Sequence, residues 1–188
     1  MSDIKFLKEY FSSLKELLNN EKYLEDLVQV KEILKNTHAK GKKTMIFGNG
    51  GSAAIASHFS VDLTKNAKVR CTNYNESDLL TCFSNDFGYE RWVEKAIEFY
   101  GDEGDSLILI SAGGNSLNMV IGAKQAKKKK IKTIITFTGN DKNNNLGKLG
   151  DINFWVNSKA YNHIENVHQI LLLSLVDLII GKTEYPPN

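Results

Sequence analysis

The sequence predicts an α/β protein, a three-layer sandwich in which about five parallel strands lie between layers of helices. After residue 40, short apolar segments alternate with helical ones, which is typical of parallel strands joined by right-handed crossovers. The segment 107–110 is apolar at every position, as expected for a sheet covered on both faces. The glycine-rich segment 48–51 follows the first strand directly and precedes a helix. Ligands of such sheets bind where strands end in this way.

Two helices precede the first strand. Apolar residues recur at helical spacing in 4–18 and in 21–39, and Gly41 is in position to cap the second helix at its C-terminus. We interpret these helices as a lead-in whose apolar face packs against a neighbouring subunit. The chain is expected to form a single domain, residues 1–188, with a helical lead-in 1–40, an α/β core 41–181 and a loose tail 182–188 that holds both prolines.

The remaining elements follow from apolar runs and the polar turns between them. Ser52 is expected to be the N-cap of the helix after the first strand, because a serine hydroxyl can accept from the free N–H groups there. The polar segment 84–89 is expected to be a loop, and 142–150 to hold one helical turn. The expected strands are 44–47, 68–74, 106–110, 132–137 and 152–156, and the expected helices are 53–65, one that starts near 76–78, 90–99, 117–130 and 162–180.

The charge balance argues against nucleic acid or membrane partners. With 24 basic and 22 acidic residues, the net charge of +2 creates no strong field for either. The lysine cluster 127–132 lies at the end of an expected helix, where cations complement the helix dipole. Ser174 and Asp177 interrupt the longest apolar run, which is too short to span a bilayer. Two cysteines without CxxC spacing, and no signal peptide, predict a cytoplasmic protein.

Two strand ends predict anion-binding turns. The segment 48–52, Gly-Asn-Gly-Gly-Ser, lets backbone N–H groups approach a ligand at a helix N-terminus, which is a common phosphate site. The segment 111–116, Ser-Ala-Gly-Gly-Asn-Ser, repeats this arrangement after another strand and adds two hydroxyl groups. The first turn lacks the G-x-G-x-x-G spacing of dinucleotide sites. A phosphorylated small molecule is therefore the favoured ligand.

Two pairs of titratable residues lie at helical spacing. His58 and Asp62 are four residues apart on one helix, and Glu165 and His168 are three apart on the last helix, so each pair shares a face. Carboxylates and imidazoles beside a phosphate site suit proton transfer at a carbon next to a carbonyl. The alternative for each histidine is a buried structural side chain, and helix carboxylates commonly lie on the surface.

The order of these motifs resembles the sugar isomerase (SIS) domain, and more narrowly the phosphoheptose isomerases, which convert sedoheptulose 7-phosphate to a heptose 7-phosphate. The resemblance covers nearly the whole chain. It implies a flavodoxin-like sheet, a cytoplasmic homotetramer with sites at subunit interfaces, and zinc in some members. The segments that carry it are Gly48–Ser52, His58-Phe59, Asn85–Gly88, Gly114–Ser116 and Thr138-Gly139. The expected substrate-binding residues are Asn49, Gly50, Gly51, Ser52, Asn85, Asp86, Ser111, Gly113, Gly114, Asn115, Ser116 and Thr138.

The same resemblance assigns the chemistry. The family has a glutamate, the presumed base, one helical turn after its histidine, and Asp62 takes that position here with a side chain one methylene shorter. Asp62, Glu165 and His168 are thus the expected catalytic residues. If zinc binds, His58, Asp62 and Glu165 are its expected ligands.

Three positions depart from the family pattern. Ala112 and Gly113 replace two hydroxyl residues of the family's phosphate loop, and Leu173 replaces its presumed acid histidine. The leading hypothesis is an aldose–ketose isomerase for sedoheptulose 7-phosphate or a related sugar phosphate, acting in surface-polysaccharide heptose synthesis. The alternative, favoured by these three departures, is a phosphosugar-binding or protein-binding module without isomerase activity.

Overall fold

The computed structural model describes residues 2–186, and its centre is a five-stranded parallel sheet. The strands are β1 (Thr44–Phe47), β2 (Cys71–Thr72), β3 (Ser106–Ser111), β4 (Thr133–Gly139) and β5 (Ile152–Val156). The helices are α1 (Asp3–Leu18), α2 (Glu21–Ala39), α3 (Gly51–Lys65), α4 (Ser77–Phe87), α5 (Trp92–Tyr100), α6 (Leu117–Lys128) and α7 (Tyr161–Ile180), with short 3₁₀ turns at Tyr89–Arg91 and Gly147–Leu149.

The strand order is β2-β1-β3-β4-β5, and every neighbouring pair is parallel. In the register, Met45 lies beside Leu107, which lies beside Ile134. The chain leaves β1 toward one edge of the sheet and returns to β3 on its other side. This switch point opens a crevice at the carboxyl ends of β1 and β3, where ligands of such sheets bind. The predicted α/β fold is confirmed.

The strands are buried on both faces. Met45 and Leu107 pack with α5 and α6, whereas Ile46 and Ile108 pack with α2, α3 and α7. All four side chains are fully buried. At roughly 1.5–3 kcal/mol for each fully buried aliphatic side chain, these two layers hold the strand ends, and hence the crevice, in place.

The last helix, α7, is a core element. By length and composition it could cross a membrane. Yet Val167, Leu171, Leu172 and Leu175 are buried in the core on the α2–α3 side of the sheet. Helix α7 is therefore packed as a core helix of a globular domain.

Three local predictions were wrong. The expected strand 68–74 is a strand only at Cys71–Thr72, and Lys68, with φ of +58°, is not in an extended conformation.

The polar segment 84–89 is not a loop up to Phe87, because α4 continues to that residue and ends at Gly88, whose φ is +89°. Phe83 and Phe87 lie one turn apart and contact each other edge to face, so their apolar face outweighs the polar residues between them. Ser52 is not the N-cap of α3 either. Gly50 takes that position, and Ser52 is buried in the first turn.

The ends of the chain agree with the expected pattern as far as they are described. The α1 and α2 bounds match the predicted lead-in within one residue, and Gly41 follows α2 with φ of +73°. Residues 182–186 contain no helix or strand, and the Tyr185 hydroxyl donates to Asp177 Oδ1 at 3.2 Å. The rest of the predicted loose tail, residues 187–188, lies outside the described residues.

Candidate functional site

A cavity of about 390 Å³ lies at the carboxyl ends of β1 and β3. The turns after these strands and the start of α7 form its walls. Among its lining residues, all within the described chain, Glu165 carries the only charge. The lining residues are Asn49, Ser52, Ile110, Ser111, Ala112, Gly113, Asn115, Ser116, Tyr161 and Glu165.

The first turn needs its glycines for steric reasons. A Cβ atom on Gly48 would overlap the backbone carbonyl group of Ser52, so α3 can start close to β1 only with glycine there. Gly50, the N-cap, has φ of +53°, in the left-handed region that glycine tolerates. The first N–H groups of α3 have no partner within the helix and remain available to an anion.

Glu165 reaches this helix end from α7. A Cβ atom on Gly51 would lie 2.6 Å from Glu165 Oε2, so the carboxylate occupies the space that the missing side chain leaves. The partial positive charge of the α3 N-terminus stabilises a carboxylate at this position by about 0.3–1 kcal/mol. The predicted carboxylate is therefore present at the first turn.

The second turn places two hydroxyl groups at the N-terminus of α6. Ser111 Oγ and Ser116 Oγ lie 3.0 Å apart and share a hydrogen bond. Ser116 is the N-cap of α6, yet its hydroxyl makes no capping bond to the helix. Both hydroxyls line the cavity, beside the free N–H groups of the first turn of α6.

The polar segment 142–150, to which the sequence analysis assigned a helical turn but no role at the site, holds the second turn. Leu146 N donates to the carbonyl of Gly114 at 2.9 Å, and Asn145 N donates to Asn115 Oδ1 at 3.1 Å. The buried Asn144 side chain packs against Gly114, where a Cβ atom would overlap it. We call residues 144–146 the clasp of the second turn. Because Gly114 has φ of +67°, two independent constraints favour glycine there.

Asn49 is held by two residues that were also missed. Asn118, buried at the start of α6, exchanges two amide hydrogen bonds with it, and the Tyr89 hydroxyl donates to Asn49 Oδ1 at 3.0 Å. A further unpredicted lining residue is Tyr161, the first residue of α7. Its signal in the sequence was only its place at the start of a helix that carries Glu165 one turn later.

The family model of the SIS domain matches residues 6–139, which include both turns. The chain belongs to the SIS domain family. It is 30% identical over its whole length to a phosphoheptose isomerase of Fusobacterium nucleatum, covering 98% of that protein. It is 35% identical to one of Buchnera aphidicola over 90% of this chain and 89% of the relative.

Solved structures agree with this SIS assignment. A phosphoheptose isomerase from Neisseria gonorrhoeae has a TM-score of 0.84 at 27% identity, covering 95% of this chain and 99% of its own. One from Francisella tularensis has a TM-score of 0.85 at 23% identity, over 97% of this chain and 100% of its own, and supports the fold alone.

His58 and Asp62 lie on the SIS helix α3 but away from the cavity. His58 Nε2 is 3.2 Å from Asp62 Oδ2, and half of the His58 side chain is exposed. Asp62 also accepts from Asn66 Nδ2 at 3.2 Å. Gly51, beside Glu165, precedes Asp62 by 11 residues, which is about 16 Å along a helix. The i, i+4 prediction is confirmed, but the pair does not line the cavity of its own chain.

The predicted zinc set does not form within one chain. Among residues 2–186, no three His, Cys, Asp or Glu side chains are close enough to hold a metal ion. Glu165, on α7, lies against the first turn of α3. His58 and Asp62 lie further along α3, so the three side chains do not meet.

Asn85 and Asp86 are also outside the cavity. Both are exposed near the end of α4, where Asn85 Nδ2 donates to Asp86 Oδ1 at 2.9 Å. The sequence analysis placed them in a loop and expected them to bind the substrate. Because α4 extends through them, their side chains are instead fixed on a helix surface.

Thr138 and His168 are buried behind the cavity. The Thr138 hydroxyl donates to Asn153 Oδ1 at 3.0 Å and accepts from Asn144 Nδ2 at 3.2 Å. It therefore helps to hold Asn144, a residue of the clasp, in place. His168 Nε2 donates to the Thr138 carbonyl at 3.1 Å, and its Nδ1 has no hydrogen-bond partner among the described residues. In this structure the hydroxyl of Thr138 and Nε2 of His168 thus make internal hydrogen bonds, and neither residue lines the cavity.

Burial makes His168 a source of acid sensitivity. Desolvation lowers the pKa of His168 from 6.5 to about 4. Between these values the unfolded chain binds more protons than the folded one, so stability falls as the pH drops from 6.5 to 4. From pH 7 to pH 4, the wild type should therefore lose about 3 kcal/mol more unfolding free energy than the variant His168→Gln, which has no imidazole to protonate. Urea unfolding at several pH values measures this, and parallel profiles would contradict it.

Proposed function

We propose that the protein is an aldose–ketose isomerase for a phosphorylated sugar, sedoheptulose 7-phosphate or a close relative, in the cytoplasmic synthesis of surface-polysaccharide heptose. The observation that carries the proposal is one cavity bounded by two glycine turns, two helix N-termini and the carboxylate of Glu165. The names of the relatives point to the same reaction. A cavity of this size accepts a seven-carbon sugar phosphate.

The phosphate binds at the second turn. The hydroxyls of Ser111 and Ser116 and the N–H groups at the start of α6 are donors, and helix N-termini favour phosphate. At the first turn, the carboxylate of Glu165 would repel a phosphate, since like charges at close range in a partly buried site interact by several kcal/mol. The carbonyl end of the open-chain sugar then lies between Glu165 and Asn49.

Glu165 is the base in this arrangement. It removes a proton from the carbon next to the carbonyl, and the electron pair of that C–H bond forms the double bond of an enediolate. The proton then returns at the neighbouring carbon while a hydroxyl proton passes between the two oxygens. A carboxylate positioned for such transfers contributes about 10²–10⁴-fold to the rate. Asp62 is the second candidate base, supplied by another chain.

We also propose a homotetramer in which neighbouring chains complete the site. None of the side chains of α1, all within the described residues, is buried. Leu14, Leu17 and Leu18 of this helix pack against the core, but Ile4, Phe6, Leu7 and Phe11 are 45–65% exposed. A surface helix with such an apolar stripe is typical of an interface. Asp62 is about 16 Å along α3 from the first turn, too far to reach the cavity of its own chain. It can take part in the reaction only at the cavity of a neighbouring chain.

The tetramer predicts a clear effect at Phe11. Phe11→Asp, which puts a charge into the apolar stripe, should shift the protein to smaller assemblies, because the buried carboxylate would lack a partner. Lys5→Asp, a change at an exposed position of the same helix that is not three or four residues from any residue of the stripe, is the matched control and should keep the wild-type mass. Sedimentation velocity measures both, and a wild-type protein that sediments as a monomer would contradict the proposal.

The function is tested by incubating the purified protein with sedoheptulose 7-phosphate in D₂O. We expect an aldose product that carries one deuterium at the carbon next to its new carbonyl. Unphosphorylated sedoheptulose is the control and should react far more slowly, because it leaves the second turn empty. Thermal stabilisation by the sugar phosphate without turnover or deuterium uptake would overturn the isomerase in favour of the binding module.

A further inference from the structure

The side-chain amide of Asn49 is locked by a buried neighbour that does not line the cavity. Asn118 is 2% exposed, and its Nδ2 donates to Asn49 Oδ1 at 2.8 Å. In return, Asn49 Nδ2 donates to Asn118 Oδ1 at 3.1 Å. This reciprocal pair joins the first glycine turn to the start of α6, which follows the second turn.

The direction of both amides follows from a backbone group. Met119 N donates to an Asn118 side-chain atom at 3.0 Å and shares the same hydrogen with the Ser116 carbonyl at 3.1 Å. A backbone N–H can only donate, so this atom must be the oxygen Oδ1. The nitrogen of Asn118 must then face Asn49, and the atom of Asn49 opposite it must be an oxygen. The backbone of Met119 therefore fixes which end of the Asn49 amide is the carbonyl.

A count of donors and acceptors shows what remains for a ligand. Asn49 Oδ1 accepts from Asn118 Nδ2 and from the Tyr89 hydroxyl, which uses both of its lone pairs. Asn49 Nδ2 has two hydrogens, and the bond to Asn118 uses one of them. One N–H of Asn49 is left over, on a residue that lines the cavity beside Glu165.

We propose that Asn118 is a positioning residue that makes Asn49 present a single N–H donor, and no acceptor, to the substrate. The inference rests on the proposed isomerase function. The group that matches a lone donor is an oxygen at the reacting carbons, the carbonyl oxygen of the ketose. This oxygen gains negative charge as the enediolate forms, so a donor held in place in advance stabilises the transition state more than the ground state. The site thereby selects a carbonyl or hydroxyl oxygen over an ammonium group, which has nothing to offer a donor.

The variant Asn118→Asp separates positioning from packing. It keeps the shape and the acceptor for Met119, but it replaces the donor to Asn49 Oδ1 by a second acceptor. The Asn49 amide should then rotate to give both of its N–H groups to the carboxylate, which leaves none for the substrate. We expect kcat to fall about tenfold or more, since loss of a preorganised oxyanion donor costs about 10²–10³. Substrate KM should change less, because the phosphate contacts stay. Tyr89→Phe keeps the lock and should reduce kcat by less than Asn118→Asp does.

A double-mutant cycle tests whether Asn118 acts through Asn49. In the Asn49→Ala background, Asn118→Asp should cause no further loss of kcat, whereas a merely structural role would add its full effect. Asn118→Leu, which introduces no charge, serves if the aspartate variant does not fold. Additive losses in the cycle, or wild-type kcat in a folded Asn118 variant, would overturn the inference.

Proton NMR of the wild type tests the lock without any variant. One Asn49 side-chain N–H should be protected from solvent exchange in the free protein, and the other should become protected when sedoheptulose 7-phosphate binds. Two freely exchanging protons in the free protein would overturn the inference and leave the proposed function standing. One protected proton, with no sugar phosphate bound or converted, would confirm the lock, while the proposed function and the substrate role of Asn49 would both fail.

Discussion

Glu165→Gln is expected to lower the kcat of sugar-phosphate isomerisation by about 10²–10⁴-fold, with little change in stability. Glutamine keeps the shape of the side chain over Gly51 but cannot accept a proton. The fold should lose only the interaction of the carboxylate with the α3 dipole, about 0.3–1 kcal/mol. Coupled assays of the aldose product and thermal unfolding, carried out on the same preparation, measure both quantities.

The control is Glu25→Gln, which changes an exposed carboxylate of α2 that does not line the cavity. This variant should keep the wild-type kcat. Asp62→Asn provides a comparison, because it should reduce kcat only if a neighbouring chain brings Asp62 to the site. If Glu165→Gln keeps more than about a third of the wild-type kcat, the 10²–10⁴-fold contribution of a base does not come from Glu165. Full activity in both variants would remove both residues from the reaction.

Gly114→Ala is expected to have the largest effect on the structure of the site. The left-handed φ of +67° costs an alanine roughly 1–2 kcal/mol. The new Cβ would also overlap the buried Asn144 side chain, and overpacking of this kind costs typically 1–3 kcal/mol. We therefore expect about 2–5 kcal/mol of lost unfolding free energy, together with a raised KM, since the clasp no longer holds the second turn.

Gly113→Ala is the matched control at the preceding position. Its Cβ would meet only the Tyr161 hydroxyl, at 3.5 Å, which is an ordinary contact, and its φ is not in the left-handed region. Chemical denaturation and substrate titration of the two variants give the comparison. Equal stability of both would show that the clasp tolerates a side chain at Gly114 and would contradict the steric argument.

Much of the fold and part of the site were predictable from the sequence. Apolar runs and their spacing depend on neighbours along the chain, so the parallel strands, the long α7 and the two lead-in helices could be placed from local pattern alone. The glycines of the first turn, together with Ser111 and Ser116 of the second, marked the strand ends that now line the cavity. Glu165 was identified through its spacing on α7.

The partners of these residues were not predictable, because they come from elements that are distant in sequence. Asn118 and Tyr89 reach Asn49 only through the packing of α6 and of the segment after α4 against the first turn. The clasp reaches Gly114 across about 30 residues. The residue pattern of one helix does not predict which side chains of distant segments will contact that helix.

The sequence by itself determined that this is a parallel α/β protein with two glycine-rich turns at neighbouring strand ends, because glycine sterics and apolar periodicity act locally. Only the tertiary structure decided which titratable groups share the cavity. It brought Glu165 over Gly51, left His58 and Asp62 further along α3, and buried His168 against the carbonyl of Thr138. The physical reason is that the helix pairing of α3 and α7 sets these distances, and such pairing follows from the packing of whole faces rather than from the spacing of a few residues.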